Sequence, residues 1–196
     1  MKVLVACEYS GAVRDAFIAR GHDAVSCDLF PSEKPGPHFI GDVRQILNIG
    51  WDLMIAHPPC TYLANSGVRW LYRHGSLNDE RMREMIAASE FFKMLMNAPI
   101  PHIAIENPIM HKYAREIIVR PYDQIVHPWM FGHPATKAIC LWLKDLPPLI
   151  TSIHHIAPMR NWREKKKGSR SVHARSRTFQ GMADAMALQW GGIKDD

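Results

Sequence analysis

Cys60 is the residue best placed to act as a nucleophile. It closes the run Ala56-His57-Pro58-Pro59-Cys60 and is followed by Thr61-Tyr62. The five residues before that run, Trp51-Asp52-Leu53-Met54-Ile55, have the length and apolar character of a strand, and Ala64-Asn65-Ser66-Gly67 reads as loop. A strand therefore delivers a cysteine to its carboxyl end, where open α/β sheets bind ligands. Proline fixes its own φ and pushes the preceding residue into extended geometry, so Pro58 and Pro59 leave the Cys60 backbone little freedom. A nucleophile aimed at one ring atom needs that, because a misplacement of about 1 Å costs roughly a hundredfold in rate. A free cysteine is by default a small buried hydrophobe; a second motif lifts Cys60 above that default. Ile103-Ala104-Ile105 is another short apolar run, and it ends in Glu106-Asn107-Pro108. Two neighbouring buried strands ending in a thiol and a carboxylate bring both groups to one rim. His57 opens a different chemistry, a cysteine hydrolase pairing Cys60 with His57. The two are close together in one loop, however, and no orienting acid stands near them in the sequence.

The amino-terminal stretch reads as the opening of a nucleotide-binding half-fold. Residues 2–6 are short, apolar and β-branched, as in a buried parallel strand. Glu8-Tyr9-Ser10-Gly11-Ala12 makes a turn, residues 13–20 a helix closed by Gly21, and Ala24-Val25-Ser26-Cys27-Asp28 a second strand ending in an acid. Such an acid commonly accepts hydrogen bonds from ribose hydroxyls. Gly11 is the only glycine in the turn, so the three-glycine fingerprint is absent and Asp28 carries most of the signal. Asp42, in Gly41-Asp42-Val43-Arg44, stands where another cofactor contact falls and equally where it would cap a helix over residues 43–47; the two roles are compatible.

These groups need a sheet to position them, and the rest of the chain supplies one. Residues 30–38 hold three prolines and a glycine and form a loop. Residues 66–78, polar and aromatic, read as a lid or substrate loop outside the core, with Ser76 placed to cap the next helix. Met82, Met85, Ile86, Ser89, Phe92 and Met96 mark one face of that helix as core filler. A strand over 101–106, a helix over 111–120, strands over 122–126 and 137–143, and a closing helix over 182–190 complete the order. His154-His155 suggests a metal at first sight, but neighbours on a strand point to opposite faces and no third ligand is evident, so no metal site is expected.

At 196 residues the chain fits a single domain over 1–196 with a real core. It has no apolar stretch long enough for a membrane span, and its first residues lack the layout of a signal peptide. Its four cysteines are far apart with no Cys-x-x-Cys pair, which disfavours a zinc knuckle or a disulfide scaffold and suits a reducing cytoplasm. The net charge of +5 is concentrated. Arg160, Arg163, Lys165, Lys166, Lys167, Arg170, Arg175 and Arg177 crowd the segment 159–177 against Glu164 alone, leaving the remainder slightly acidic. Such a patch, with Trp162 in it, is an electrostatic footprint for phosphates, the bland alternative being a solvated basic arm.

The order of strand, turn and acid, then strand-Pro-Pro-Cys, then strand-Glu-Asn, resembles the DNA cytosine-5 methyltransferase family over most of the chain. The resemblance implies an α/β, Rossmann-like fold that uses S-adenosylmethionine, with a mostly parallel central sheet and helices on both faces. It implies that Tyr9, Ser10 and Gly11 form the cofactor-binding turn. Asp28 with Leu29 would then meet the cofactor ribose, Asp42 would lie near its adenine, and Pro58 would face it from the catalytic loop. Cys60 is then the nucleophile that adds to carbon 6 of cytosine, and Glu106 bonds the N3 edge and the exocyclic amine of a base held outside the duplex. Residues 181–187 resemble the closing helix that returns to the cofactor. The chain departs from the pattern at Val13, where a second turn glycine is usual, and at Thr61, where a glutamine is usual. Lys137 falls where an Arg-x-Arg is usual and supplies a point charge without the planar fork; Arg175 and Arg177 are alternative suppliers. Too few residues follow the strand ending at Leu143 for a separate target-recognition domain, and the basic segment 159–177 takes its place in order. Arg163, Lys165, Lys166, Lys167, Arg170, Arg175 and Arg177 are accordingly the expected DNA-binding residues. A homodimer or a recognition partner is one way to supply target choice. The same chemistry on RNA or a free pyrimidine nucleotide, and a non-catalytic descendant that binds nucleic acid or cofactor, are the other readings.

Overall fold

The computed structural model describes residues 1–73, 75–159 and 177–193. Its centre is a seven-stranded sheet built from β1 (Lys2–Ala6), β2 (Asp23–Asp28), β3 (His38–Ile40), β4 (Leu53–Ala56), β7 (His102–Asn107), β8 (Gln124–Val126) and β9 (Ile139–Lys144), in the order β3-β2-β1-β4-β7-β9-β8. A separate hairpin, β5 (Tyr72–Arg73) with β6 (Ser76–Leu77), interrupts the path from β4 to β7. The helices are α1 (Ala12–Ile18), α2 (Asp79–Met96), α3 (Lys112–Ile118) and α4 (Gln180–Trp190).

β1, β2, β3, β4 and β7 run parallel, and β9 runs antiparallel to both β7 and β8. Parallel strands must be covered on both faces, which is why their sequences read as unbroken apolar runs. The alternation is visible residue by residue. Val3, Val5, Leu53, Ile55, Ala104, Ile139 and Leu141 pack on one side against Val13 and Phe17 of α1 and Met182, Met186 and Trp190 of α4. Leu4, Ala6, Met54, Ala56, Ile103, Ile105 and Trp142 pack on the other against Phe92 and Leu95 of α2 and Ala114 and Ile118 of α3. The fold is the Rossmann-like α/β arrangement that the resemblance implies, with helices on both faces of a mostly parallel sheet.

Several local expectations are corrected. β3 was not expected: three residues at a sheet edge after a proline-rich loop carry no readable period. The helix expected at 43–47 is a single 3-10 turn, Val43–Gln45. Residues 66–78 are not a plain loop: Asn65–Leu71 forms a 3-10 segment that buries Leu71, and the hairpin follows. Asn78, not Ser76, caps α2, its side-chain oxygen accepting from the Arg81 amide at 3.1 Å, while Ser76 is spent in β6. Ile86 faces solvent, and Leu95 takes its place on the buried stripe. His111 lies outside α3 as its N-cap, accepting from the Ala114 amide. His154 and His155 sit in an irregular segment rather than a strand.

Candidate active site

The order of strands reverses at β1: β2 and β3 lie on one side of it, β4 and β7 on the other. That switch point is where an open α/β sheet leaves a crevice at its carboxyl edge. Every acid and thiol singled out in the sequence falls along this edge. The turn 7–11 follows β1, Asp28 ends β2, Asp42 follows β3, the cysteine loop follows β4 and Glu106 lies at the end of β7. Lys137 precedes β9, which runs the other way and so begins at the same edge.

On the β1 side, the turn is built around a residue the sequence did not single out. Glu8 is buried, and its carboxylate accepts from the Val13 amide at 2.8 Å, from the Ser10 hydroxyl at 3.0 Å and from the Arg14 amide at 3.3 Å. It thereby covers amides that open α1 and that no helical carbonyl reaches. Gly11 precedes α1 at φ +70°, and a side chain there would also run into the Arg14 guanidinium. Arg14 is itself fully buried; it meets Asp15 and the hydroxyls of Ser26 and Ser32, and donates to the carbonyls of Lys34 and Pro35, pinning the 30–37 loop beside the turn. Tyr9 is half-buried and its carbonyl accepts from the Glu33 amide, a further tie to the same loop.

Asp28 accepts from the Phe30 amide through Oδ1, while Oδ2 has no hydrogen bond among the described residues. Asp42 caps the 3-10 turn, accepting from the Arg44 amide and guanidinium, so its capping role is realised. Burial and the charges of Asp28, Cys27 and Asp42 push the Cys7 thiol far up. Leu29 is strongly exposed, as are Phe30 next to it and Ile40, the register partner of Asp28. Asp28 thus ends β2 beside an exposed apolar cluster.

On the β4 side, Ala56 pairs with Ile105, so the next residues of the two strands face each other in turn. His57 Nδ1 lies 3.2 Å from Glu106 Oε2, and the Asn107 side-chain amide donates to the Pro58 carbonyl at 2.8 Å. Pro58 is buried. Burial acts to raise the Glu106 carboxyl, but the hydrogen bond from His57 and the Lys137 ammonium outweigh it, and Glu106 is held below its ordinary value. It is an anion at neutral pH, so it accepts and His57 Nδ1 donates. Glu106 Oε1, His57 Nε2 and Asn107 Oδ1 are buried without a hydrogen-bond partner among the described residues.

Cys60 is partly exposed on its loop. Its carbonyl accepts from the amides of Leu63 and Ala64, which closes the loop into a turn. The Arg81 guanidinium of α2 lies over the Tyr62 ring at 4.3 Å and donates to the Thr61 carbonyl at 2.6 Å, and the His111 ring meets the Tyr62 carbonyl. Burial, with neighbouring carboxylates, pushes the Cys27 thiol up to about 12 and Cys140 to about 11, and Cys7 higher still, so those three remain unreactive thiols at neutral pH.

Glu106 and Lys137 line one cleft with Ile139, Arg177, Thr178, Phe179 and Met182, enclosing about 240 Å³ including its open mouth. Arg177 also pairs with Glu33 at 2.7 Å, bridging the segment entering α4 and the loop that Arg14 pins. Gly181 matters for this wall: a Cβ there would overlap the Phe131 carbonyl, so only glycine lets α4 close on the 128–131 segment. Arg163, Lys165, Lys166, Lys167, Arg170 and Arg175 lie outside the described residues. Among the described residues no group of three or more His, Cys, Asp or Glu side chains is arranged to hold a metal, and no helix is long and apolar enough to cross a membrane. Glu8 was missed, and His57 was weighed only as a partner of Cys60, not of Glu106. His57 had a signal, since it and Glu106 each stand just past or at the end of an apolar run.

No protein-family model and no curated protein matches the sequence. Among solved structures, the chain is similar to the Entamoeba histolytica methyltransferase EhMeth, at 18% identity and a TM-score of 0.47, over 81% of this chain and 57% of that one. It is similar to an rRNA methylase from Escherichia coli, at 14% identity and a TM-score of 0.37, over 73% of this chain and 56% of that one. It is also similar to the bifunctional kinase-methyltransferase WbdD, at 13% identity and a TM-score of 0.40, over 89% of this chain and 41% of that one. The chain thus spans little more than half the length of the first of these relatives.

Proposed function

We propose that this protein transfers a methyl group from S-adenosylmethionine to carbon 5 of cytosine in DNA, through a covalent bond between Cys60 and carbon 6. The observation that carries the reading is the β4–β7 register. It brings His57 and Pro58, which lead into the cysteine loop, beside Glu106 and Asn107, with one Glu106 oxygen unpartnered, at the same edge as Asp28 and Asp42.

The cofactor side fits the chemistry of the donor set. The free Oδ2 of Asp28 is an acceptor for ribose hydroxyls, and exposed Leu29, Phe30 and Ile40 offer an apolar face for an adenine. Ser10 is buried with its hydroxyl turned to Glu8 and the Ala12 amide, so it and Gly11 would serve through their backbone. Tyr9, half-buried, and Pro58 would flank the bound group, and Asp42 would meet it from the far side of Asp28. S-adenosylmethionine supplies an electrophilic methyl on a sulfonium.

Carbon 5 of cytosine is a poor nucleophile, and the chain's residues are arranged to change that. The Cys60 thiolate adds to carbon 6, and the displaced electron pair moves through carbon 5 toward N3. Glu106 Oε1 accepts from the exocyclic amine and favours the proton that N3 gains, while Lys137 lies beside the same carboxylate. Carbon 5, now enamine-like, would take the methyl as the sulfonium donor leaves as a neutral thioether; the carbon 5 proton then passes to water as the carbon–sulfur bond breaks and returns the thiolate, and N3 releases the proton it gained from solvent. The base must stand outside a duplex, by flipping or in a single strand. The 65–77 excursion would border the substrate, with Arg69 over the Trp70 ring and Lys112 over Tyr113. The basic segment 159–177 would run along the phosphates, and the whole chain would act as one catalytic unit.

The hydrolase reading gains an acid that the sequence hid, because Glu106 orients His57. It needs His57 Nε2 on the Cys60 sulfur, and Nε2 has no hydrogen bond, which weighs against it.

The test offers radiolabelled S-adenosylmethionine with duplex DNA, single-stranded DNA, tRNA and deoxycytidine nucleotides in parallel. Label on DNA, a trapped adduct on a 5-fluorocytosine oligonucleotide, and a Cys60→Ser variant that binds the cofactor but transfers nothing support the proposal. Unchanged turnover in Cys60→Ser eliminates the thiolate mechanism. Label only on tRNA or free nucleotides moves the same chemistry to another pyrimidine, and no label on any substrate leaves a binding protein.

A further inference from the structure

His57 interposes itself in the way Glu106 can read a base. The carboxylate has two oxygens. Oε2 accepts from His57 Nδ1, and Oε1 is buried without a partner. The His57 side chain is 8% exposed, so this bond is shielded from competing water. Rotation of the carboxylate about its last bond would break the hydrogen bond and return a buried anion to an unpaired state, which is costly. The pair is also fixed from behind, since the residues that follow are joined by the Asn107 amide on the Pro58 carbonyl.

We propose that His57 is a positioning residue for Glu106: it claims Oε2, fixes the plane of the carboxylate, and leaves Oε1 as the single acceptor presented to the substrate. The inference rests on the proposed methyl transfer for its substrate but on the free protein for its geometry. A lone acceptor suits a ring edge that offers an amino hydrogen, as cytosine does at carbon 4. It repels a carbonyl oxygen at that position, as in uracil. The groups that face Glu106 are His57 from the end of β4, Lys137 from before β9, Cys140 from β9 and Arg177 from the cleft wall. Of these, His57 hydrogen-bonds the carboxylate directly, through Nδ1 at 3.2 Å.

The test uses the full chain labelled with 13C at glutamate carboxyls, the Glu106 signal being the one lost in Glu106→Gln. In the wild type this carboxyl titrates below the ordinary glutamate range. In His57→Leu the hydrogen bond and charge of His57 no longer oppose burial, and the midpoint moves upward. His57→Asn places an uncharged amide donor near the position of Nδ1 and recovers part of the shift. Methyl transfer is followed in parallel on a single-stranded oligodeoxynucleotide containing one cytosine. His57→Leu loses about a hundredfold in kcat, the scale expected when a contact group is misplaced by about 1 Å, with KM for S-adenosylmethionine little changed. His57→Asn regains most of that loss. Superimposable carboxyl titrations in wild type and His57→Leu overturn the proposal, as does an equal loss in His57→Leu and His57→Asn. If the titrations behave as expected but the wild type methylates nothing, the positioning of Glu106 stands and the methyl-transfer reading is what fails.

Discussion

Removing the carboxylate of Glu8 should unfold the turn that the proposed function assigns to cofactor binding. In Glu8→Ala the Val13 and Arg14 amides and the Ser10 hydroxyl lose their acceptor in a site that is 4% exposed. A hydrogen bond to a charged group contributes about 1.5–3 kcal/mol, and one stranded donor costs about 1–3 kcal/mol. The 3.3 Å bond to Arg14 lies at the weak end, and water can reach part of an opened turn, so the sum is held to about 3 kcal/mol. For a chain of this size each kcal/mol lowers Tm by about 2–4 °C, giving a fall of about 6–12 °C. Glu8→Gln keeps one carbonyl oxygen for Val13 and Ser10 but turns an NH2 toward the Arg14 amide, donor against donor; about 1–2 kcal/mol is expected.

The assay is urea unfolding followed by circular dichroism, with S-adenosylmethionine titrated calorimetrically into the folded variants. Glu8→Gln should remain folded and bind the cofactor about tenfold more weakly, about 1.4 kcal/mol, because the backbone of residues 9–11 is no longer held. Stability of both variants within about 0.5 kcal/mol of wild type, the range of an ordinary surface change, would refute the assignment of Glu8 as the organiser of the turn. Wild-type cofactor affinity in a measurably destabilised Glu8→Gln would separate the turn from the binding site.

Two further outcomes are expected. Gly181→Ala should lower stability by about 2 kcal/mol or more, since the Phe131 carbonyl that the new methyl would meet is backbone and cannot swing aside; a thermal melt equal to wild type would show that α4 closes less tightly than described. Changing Lys165, Lys166 and Lys167 together to Ala should weaken binding to a DNA duplex and flatten its dependence on salt, by about three phosphate contacts in the slope; an unchanged slope makes the basic segment a bystander.

The strands of the sheet were legible because burial on both faces leaves a plain mark: Val3-Leu4-Val5-Ala6, Leu53-Met54-Ile55-Ala56 and Ile103-Ala104-Ile105 are apolar without interruption. The edge strand β3 and the 72–77 hairpin left no such mark, being short and half-solvated. Arg14 was illegible for a different reason. On a short helix a single arginine reads as a solvated face, yet its partners are loop carbonyls about twenty residues downstream, and only the folded loop brings them within reach. Glu8 hides in the same way. Its partners are backbone amides and a serine two to six residues on, and they converge only because Cys7 adopts φ +57° and Gly11 φ +70°.

The His57–Glu106 pair was derivable from one further assumption that the sequence permits but does not enforce. If β4 and β7 are neighbours and in register from Leu53 opposite His102, then His57 must fall opposite Glu106 and Pro58 opposite Asn107. Both side chains then point to the α1–α4 face, because Leu53 and Ile55, and Ala104, already do. The cysteine loop is thus aligned by the same ladder that fixes the core, and a one-residue slip would exchange Glu106 for a neighbour on the opposite face. That gives the site its rigidity and explains why its polar groups are few and shared. Asp42 and Asn107 each secure a loop with one set of atoms, while Glu106 and Asn107 keep one oxygen apiece unpartnered. Such orphaned buried acceptors are unfavourable in a protein at rest. Their placement along one edge, beside a partly exposed cysteine, is what a ligand with donor groups at matching positions would relieve.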